Sequence, residues 1–352
     1  MPTLPSDPAD LTPSWLSDAL GTEVTGVEVL DHAFATNQRV RIGLEYAGLA
    51  HGADAGPASL FVKLAPTDPA HRQMIGATGM GEREAEFFSD VAGTVDLLVP
   101  GCPFAASEGD LFVLLLEDLT VRDCQFFPEM TGVGADAAGV ALEDLARFHA
   151  RFESDAERDK VAPWLRTPTR RMSEATAGLM RMVLDANAER LSPTYVAVGE
   201  LYEQHHAWFD EIWHAGPPTY IHGDLHVGNV YLDAGRVGFV DWGLSRTSTH
   251  LRDMSYFLTM SVDVEARRAN ERELIQGYLD ALRAAGGHDY SFADAWAAHR
   301  LQASYTVVAT FLAYMPSYAS GDGVALGDNL LMRANAAIED LEVVDAVRAA
   351  LG

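Results

Sequence analysis

The sequence has few cysteines and few basic residues, and each shortage excludes a class of protein. Cys102 and Cys124 are the only cysteines among 352 residues, too few for a disulfide framework or a thiolate metal site. Lysine and arginine total 25 against 51 aspartate and glutamate residues, for a formal net charge of −26. Such an acidic surface repels phosphate backbones and anionic headgroups, so we expect neither a nucleic acid nor a membrane as partner.

Long apolar runs are also lacking. The longest, at residues 111–116, is far shorter than the ~20 residues of a membrane-spanning helix. Residues 1–8 contain neither the basic nor the apolar segment of a secretory signal, so the sequence predicts a cytoplasmic location. A hydrophobic content of 48% and a charged content of 22% are ordinary for globular proteins, and the length suits one large or two medium domains.

Hydrophobic periodicity predicts a sheet-rich beginning and a mainly helical remainder. A short helix begins with Thr12 and Pro13 and ends at Gly21. Strands are predicted at residues 24–30, 40–46, 60–64, 100–104 and 111–119. From about residue 125, helices are predicted at residues 142–152, 172–188, 194–214, 264–285, 292–316 and 327–350, with another beginning at Asp253.

Lys63 lies inside an apolar strand, where an unpaired ammonium would be costly. The next predicted helix, at residues 81–88, contains three glutamates. Glu84 has phenylalanines at i+3 and i+4 that would anchor it inward, so we expect it to pair with Lys63, with Glu86 as second choice. Two other interpretations are a solvent-facing glutamate row and an edge-strand lysine that hinders aggregation.

The most informative stretch is HGDLHVGNV at residues 222–230, followed by GFVDWG at residues 238–243. It is predicted to form a strand–loop–strand–turn–strand unit. Asp224 and Asn229 have the Asp-x4-Asn spacing by which one loop of protein kinases presents a base and a metal ligand. Asp241 adds a third oxygen ligand, and such hard oxygens suit Mg²⁺ carried by substrate phosphates.

This stretch has two alternative interpretations. A His-Gly-Asp sequence often only builds a turn, because glycine relaxes the backbone and aspartate binds nearby N–H groups. The matching Asn229 and the downstream Asp-Trp-Gly favour a functional site instead. A zinc site using His222 and His226 would need a helix to bring both to one face, and Gly223 and Gly228 disfavour a helix there.

Two aromatic or apolar stripes have structural alternatives. His149 lies on a predicted apolar helix face and is expected to be a satisfied core histidine rather than a ligand. A stripe in the C-terminal helices is a candidate acceptor pocket, although a buried helix face explains it better. Its members are Tyr305, Phe311, Tyr314, Met315 and Tyr318.

The order of these parts resembles the aminoglycoside phosphotransferase-like branch of the protein-kinase-like fold. That superfamily includes choline, homoserine, fructosamine and macrolide kinases and the ecdysteroid-kinase-like group. The strand lysine, the helix glutamate, Leu-Glu-Asp-Leu at residues 116–119, HGDLHVGN and VDWG carry the resemblance, which spans about residues 24–285. Residues 114–119 and 145–150 look most like the ecdysteroid-kinase-like members.

The resemblance implies a two-lobed α+β fold. A small antiparallel-sheet lobe would bind the nucleotide at residues 1–117, and a larger, mainly helical lobe would hold the catalytic and substrate-binding residues at 118–352.

The resemblance also implies roles for the central residues. Asp224 would orient or deprotonate the acceptor hydroxyl. Asn229 and Asp241 would hold Mg²⁺ against the nucleotide phosphates. Lys63, held by Glu84, would contact the α- and β-phosphates.

Further residues receive supporting roles from the same resemblance. The backbone of Glu117, Asp118 and Leu119 would face the adenine. Asp253 would brace the catalytic loop from the following helix, and His222 would support the same loop.

One departure concerns the loop over the phosphates. The first hairpin loop, residues 35–38, contains no glycine, whereas protein kinases use a Gly-rich loop there. Members of the small-molecule branch often lack that run, and Thr36 and Asn37 are expected to bind the nucleotide through side-chain donors instead.

The sequence therefore predicts an ATP-dependent kinase, with GTP as the alternative nucleotide, that phosphorylates a hydroxyl of a small molecule with Mg²⁺ as cofactor. One alternative is an antibiotic-inactivating aminoglycoside or macrolide kinase, which differs only in its substrate. The other is a non-catalytic, nucleotide-binding regulatory protein.

Overall fold

The computed structural model describes residues 3–34, 36–48, 56–165, 170–187, 189–310 and 322–352. The chain divides into two compact units, each made of several segments. The first comprises Met1–Val95, Val99–Cys124 and Val240–Leu244, and the second comprises Asp96–Leu98, Gln125–Phe239 and Ser245–Gly352. The boundary predicted from the sequence, at residue 117, stays a prediction.

The first unit is built on a five-stranded antiparallel sheet. Its strands are β1 (Val24–Phe34), β2 (Gln38–Tyr46), β3 (Ser59–Leu64), β4 (Phe104–Glu108) and β5 (Leu111–Glu117). Their spatial order is β1-β2-β3-β5-β4, with antiparallel pairing throughout. The other elements are α1 (Pro13–Leu20), α2 (Pro69–Gly76), α3 (Met80–Glu86) and the strand β6 (Cys124–Gln125), which ends where the second unit begins.

Local chemistry explains where several of these elements begin and end. Thr12 caps α1 by accepting a hydrogen bond from the Trp15 N–H at 3.3 Å, and Gly21 ends it with a left-handed φ of 68°, as predicted. The predicted strand at residues 100–104 is wrong, because the paired strand begins only at Phe104. Prolines at positions 100 and 103 lack the N–H groups that pairing requires.

The two faces of β2 lie in different environments. Val40, Ile42 and Leu44 are buried in the core beneath the sheet. The alternate positions place Arg39 and Arg41 on the opposite face. Arg39 is the register partner of Lys63 on β3, so both cations lie on that face.

The second unit is mainly helical. Its helices are α4 (Ala135–Phe152), α5 (Asp155–Val161), α6 (Arg170–Ala186), α7 (Pro193–Trp213), α8 (His250–Met260), α9 (Val264–Ala284), α10 (Phe292–Gln302), α11 (Thr306–Ala309), α12 (Asp322–Asp340) and α13 (Val343–Leu351). Its strands are β7 (Pro218–Ile221), β8 (Val230–Asp233), β9 (Arg236–Phe239) and β10 (Arg246–Thr249). The core includes Tyr195, Phe209, Trp213, Ala334 and Val347.

The predicted strand–loop–strand–turn–strand unit is present. Strands β8 and β9 form a hairpin closed by Ala234 and Gly235, whose φ angles are 49° and 83°. Two successive positive φ angles are characteristic of the type I′ turn, which matches the twist of a hairpin. Strand β7 pairs with β10 instead, with Ile221 opposite Arg246.

Two helices predicted as continuous are broken. The helix predicted at residues 292–316 ends at Gln302 and is followed by a 3₁₀ turn and by the short helix α11, while residues 311–316 lie outside the described residues. There the hydroxyls of Ser304 and Thr306 donate to backbone carbonyls, which competes with helical hydrogen bonding. The helix predicted at residues 327–350 is α12 and α13, separated at Glu342, whose φ of 48° is left-handed.

These elements confirm the predicted α+β class, with an antiparallel sheet in one unit and mainly helices in the other. Within the described ranges, no helix is both long enough and apolar enough to cross a bilayer.

Candidate active site

Each unit holds some of the predicted site residues, and the first unit holds the lysine, its glutamate and Asp241. Lys63 Nζ lies 2.6 and 2.7 Å from the two carboxylate oxygens of Glu84, and both side chains are buried. The structure therefore selects Glu84, and not Glu86, as the partner of Lys63. Burial raises the pKa of Glu84, while the ammonium of Lys63 acts in the opposite direction.

Asp241 lies against two cations of the same unit. Its Oδ1 is 3.3 Å from Lys63 Nζ, and its Oδ2 is 3.7 Å from Arg39 Nη2. The side chain is 26% exposed, and its backbone has a left-handed φ of 65°, a conformation that aspartate tolerates better than most residues. Lys63 is thus shared by two carboxylates, and Arg39 adds a second positive charge.

Packing fixes the segment that carries Asp241. The ring of Trp242 stacks on Phe87 with centroids 3.7 Å apart and planes inclined by 6°. Arg83 Nε donates to the carbonyl of Gly243 at 2.9 Å. A Cβ at position 243 would lie only 3.1 Å from the Met80 carbonyl oxygen, so glycine permits this close approach.

The segment predicted to face adenine has its side chains committed elsewhere. The buried carboxylate of Asp118 accepts hydrogen bonds from Arg41 Nη2 at 3.1 Å and from Ser59 at 2.8 Å. Burial by itself would raise the pKa of Asp118, but hydrogen bonds from Thr120, Ser59 and Arg41 outweigh it and lower the pKa. This leaves backbone groups for a nucleotide, and that role stays a prediction.

Neighbouring groups also hold the ends of this segment. Glu117 forms an ion pair with Arg122 at 3.0 Å and accepts from the Gly101 N–H at 3.1 Å. Its own N–H donates to the Gly101 carbonyl at 2.7 Å. Leu119 is buried and begins a 3₁₀ turn, so a nucleotide would meet a well-supported backbone.

The loop between β1 and β2 is short, since Phe34 and Gln38 are register partners. Asn37 is buried, and its Oδ1 accepts from Arg39 Nε at 3.4 Å, whereas Thr36 is half-buried. This contact links the glycine-free loop to the second cation of the site. Binding of phosphate by Thr36 and Asn37 stays a prediction.

The second unit holds the predicted catalytic loop. Asn229 Nδ2 donates to Asp224 at both the carboxylate Oδ2, at 3.0 Å, and the backbone carbonyl, at 2.9 Å. Tyr256 Oη donates to the other carboxylate oxygen of Asp224 at 3.1 Å. The carboxylate is therefore oriented from two sides, while 16% of the side chain remains exposed.

Asp253 is fully buried beneath this loop. Its Oδ2 accepts from the His222 N–H at 2.6 Å, and its Oδ1 accepts from the Gly223 N–H at 2.8 Å. His149 Nε2 lies 3.4 Å from Oδ2. Burial alone would raise the pKa of Asp253, but the hydrogen bond and charge of His149, the charge of His222 and the Gly223 N–H lower it overall.

The histidines of this region have structural partners. His222 Nδ1 accepts from the Asp224 N–H at 3.3 Å, and His226 Nδ1 accepts from the Gly228 N–H at 3.0 Å. His149 is the satisfied core histidine that was predicted, with Nδ1 2.7 Å from the hydroxyl of Tyr278. In the described part of the chain, no three His, Cys, Asp or Glu side chains are arranged to hold a metal ion.

The oxygen donors suit Mg²⁺ better than zinc. Because the Asn229 amide nitrogen donates to Asp224, its carbonyl oxygen is the group left for a ligand. Asp241 supplies a partly exposed carboxylate. Hard oxygen ligands of this kind, few in number, are what Mg²⁺ takes when it arrives with substrate phosphates.

Sequence reasoning missed two side chains of these clusters. Arg39 follows from β-strand alternation only after the register with Lys63 is known. Tyr256 lies three residues after Asp253, and the sequence pattern indicates only that it continues the helix, although its hydroxyl reaches Asp224. Burial, followed by the charge of Asp224, raises the pKa of Tyr256 well above its usual value, so its hydroxyl stays protonated and donates.

Part of the predicted acceptor pocket can be located. Tyr305 is half-buried, and its ring meets that of Tyr256 edge-on, with centroids 5.5 Å apart. The other predicted lining residues lie outside the described residues: Phe311, Tyr314, Met315 and Tyr318.

Comparison with family models matches residues 36–287 to the ecdysteroid kinase-like family. The matched region includes Lys63, Glu84, Asp224, Asn229 and Asp241. No curated protein matches the chain.

Solved structures of kinase-like proteins share the fold. A Ralstonia eutropha protein provisionally described as an aminoglycoside phosphotransferase has a TM-score of 0.54 at 14% identity, covering 94% of this chain and 97% of its own. Choline kinase from Cryptosporidium parvum Iowa II has a TM-score of 0.53 at 8% identity, covering 92% of each chain. The GDP and kanamycin complex of APH(2")-IIIa has a TM-score of 0.52 at 14% identity, covering 92% of this chain and 99% of its own. The similarity confirms the predicted two-lobed kinase-like fold.

Proposed function

Since the chain belongs to the ecdysteroid kinase-like family, we propose that it transfers the γ-phosphoryl group of ATP, or of GTP, to a hydroxyl of a small molecule. The observation that carries the proposal is the Asp224 carboxylate held by Asn229 and Tyr256 at 3.0 and 3.1 Å. A carboxylate oriented from two sides and still partly exposed is suited to accept a hydrogen bond from an incoming hydroxyl. Several relatives in fold act on small molecules, as choline kinase and the kanamycin-bound APH(2")-IIIa do by name.

The proposed reaction is a single displacement at phosphorus. The acceptor oxygen forms a bond to the γ-phosphorus, the bond from that phosphorus to the β–γ bridging oxygen breaks, and the hydroxyl proton passes to Asp224. The products are a phosphate ester and the nucleoside diphosphate. Because the transition state of phosphoryl transfer is loose, the proton leaves late and the orientation of Asp224 matters more than its basicity.

The phosphates would be bound by cations of the first unit. Lys63 is fixed by Glu84 and lies beside Asp241, and Arg39 lies on the same face of the sheet. Asn229 and Asp241 are the residues that would hold Mg²⁺, which when bound neutralises charge on the phosphate oxygens. Positioning and charge neutralisation are the main contributions that a protein makes to this reaction.

The test is a screen over aminoglycosides, macrolides, amino alcohols, hydroxy acids and neutral alcohols that measures release of ADP from ATP and of GDP from GTP. Asp224→Asn should lower turnover of any substrate found by about 10²- to 10⁴-fold, while stabilisation by Mg-nucleotide remains. Asp345→Asn, an exposed residue of α13, is the matched control and should retain full activity.

The outcomes separate the alternatives. Turnover retained by Asp224→Asn would reject its assigned role. Stabilisation by nucleotide without transfer to any acceptor would favour the regulatory alternative. Transfer confined to aminoglycosides or macrolides would identify an antibiotic-inactivating enzyme.

A further inference from the structure

Arg252 on α8 is a buried cation without a carboxylate partner. Its side chain is 3% exposed, and its Nε and Nη1 are fully buried yet donate to no protein group. Among the described residues, no carboxylate forms an ion pair with it. Burying a charged group is costly unless it is paired and hydrogen-bonded, so an unpaired guanidinium calls for a functional explanation.

Aromatic rings surround this guanidinium and do not neutralise it. Its Cζ lies 3.8 Å from the ring centroid of Tyr305 and 5.9 Å from that of Trp213. Cation–π contacts stabilise a buried cation but leave its N–H donors unused. Burial accordingly lowers the pKa of Arg252.

The other charged groups nearby do not provide the missing anion. Asp253 is adjacent in sequence, but its oxygens accept from the loop N–H groups and face His149. Burial, with the charges of Arg252 and Arg246, lowers the pKa of His214 to about 3, so that its ring is neutral. Neither Asp253 nor His214 therefore neutralises the charge of Arg252.

Arg252 is also connected to the proposed catalytic carboxylate through two tyrosines. It is four residues before Tyr256, so the two side chains share one face of α8. Both contact the half-buried ring of Tyr305, and Tyr256 donates to Asp224. The guanidinium and the Asp224 carboxylate are thus connected through one pair of tyrosines.

We propose that Arg252 binds a carboxylate of the acceptor, which makes the substrate a small hydroxy acid with an aromatic or apolar body. This inference rests on the proposed function and specifies its substrate class. A carboxylate matches a guanidinium through two parallel hydrogen bonds. A phosphate dianion would be costlier to bury and would need more donors, and a cationic acceptor would be repelled by the unpaired guanidinium of Arg252.

The first test compares hydroxy acids with their primary amides, which keep the shape and lose the charge. The probes are mandelate, 4-(hydroxymethyl)benzoate and 3-hydroxy fatty acids of medium length, each with its amide, assayed by ADP release and by thermal stabilisation of the full chain. We expect wild type to prefer acids. Arg252→Gln should lower kcat/KM and affinity for acids about 10- to 100-fold while leaving the amides unchanged. Arg283→Gln, a surface arginine paired with Asp280 and Asp289, is the matched control and should behave as wild type.

A second variant separates binding from folding. Arg252→Met removes an unpaired buried charge and keeps an unbranched side chain, so without ligand its Tm should equal or exceed that of wild type. A purely structural arginine predicts a lower Tm and unchanged stabilisation by acids, and that pair of results would overturn the inference. The absence of any difference between acid and amide that depends on Arg252 would overturn it as well.

The design distinguishes this inference from the proposed function. If neutral or cationic alcohols are phosphorylated, and the acids are neither preferred over their amides nor affected by Arg252→Gln, the carboxylate site is refuted while the kinase activity stands. If acids stabilise wild type and Asp224→Asn, but not Arg252→Gln, and no phosphoryl transfer occurs, the anion site stands and the proposed activity fails.

Discussion

Replacing Asp253 by asparagine should disturb the loop that carries Asp224. Its two carboxylate oxygens accept the N–H groups of His222 and Gly223 at 2.6 and 2.8 Å, entirely away from solvent. Asparagine retains one acceptor oxygen, but its NH₂ group would face the second N–H donor. The substitution therefore removes one charge-assisted hydrogen bond. It also places the new NH₂ group against a backbone N–H donor, at the point where the chain turns toward Asp224.

The magnitude follows from these contacts. A hydrogen bond to a charged group contributes roughly 1.5–3 kcal/mol, and a buried donor left unsatisfied costs a similar amount. We expect Asp253→Asn to lower the free energy of unfolding by about 2–4 kcal/mol. In domains of 150–250 residues this corresponds to a fall in Tm of about 2–4 °C per kcal/mol.

The measurement combines chemical denaturation with ADP release, the latter well below the Tm of the variant. Turnover should fall because the displaced loop carries Asp224. Asp263→Asn is the matched control, since Asp263 also accepts two backbone N–H groups, at 3.1 and 3.0 Å, as the N-cap of α9. Asparagine is an equally good N-cap, so this control should change neither property. Equal stability and activity in the two variants would refute the bracing role.

Acid provides an independent check on the same residue. The pKa of Asp253 is lower in the folded protein than its ordinary value of 3.8, so the folded state binds fewer protons there than the unfolded state. This contribution to stability is present above the unfolded pKa and is lost as the pH falls through the folded pKa. Below about pH 4, Asp253→Asn should therefore lose stability less steeply than wild type. Parallel curves would contradict the assignment.

Three further substitutions test the remaining contacts of the site. Lys63→Met leaves Glu84 buried without its cation and should lower the free energy of unfolding by about 3–5 kcal/mol. The double variant with Glu84→Gln should recover part of this in urea denaturation, and full additivity would argue against the pairing. Arg39→Gln should raise the KM for nucleotide about fivefold, as expected for a half-exposed cation worth roughly 1 kcal/mol, and an unchanged KM would exclude it from phosphate binding. Tyr256→Phe should lower kcat about five- to tenfold through loss of one donor to Asp224, with the nucleotide KM as internal control, and an unaltered kcat would make the hydroxyl structural.

Features set by neighbours in sequence were predictable. The helix from Pro13 depends on a cap, a proline and a glycine within ten residues. Asp224 and Asn229 belong to one short loop, so their spacing was enough to predict that they meet. The pairing of Lys63 with Glu84 was also predictable, because an ammonium in an apolar strand needs a carboxylate partner and Glu84 is the glutamate anchored inward.

Features that depend on strand register or helix rotation were not predictable. Arg39 joins the site only because β2 and β3 pair with Arg39 opposite Lys63, and one residue of slip would point it to the other face. Tyr256 reaches Asp224 because of the rotation of α8, which is fixed by the burial of Asp253. The break after Gln302 depends on hydroxyl groups whose hydrogen bonds to backbone carbonyls compete with those of the helix. Which of these hydrogen bonds form depends on packing, which the sequence pattern does not show.

A net charge of −26 would by itself repel a polyanionic nucleotide, but the burial of the site cations makes their local charge more important than the net charge. Exposed charges farther apart than about 8 Å are largely screened at physiological ionic strength, whereas buried charges are screened much less. Lys63 is 4% exposed, so its charge acts over a short path through a medium of low dielectric constant. Nucleotide affinity should therefore depend on Lys63 and Arg39 rather than on the net charge. The same reasoning applies to Arg252, whose effect on a bound carboxylate is strong because water is largely excluded around it.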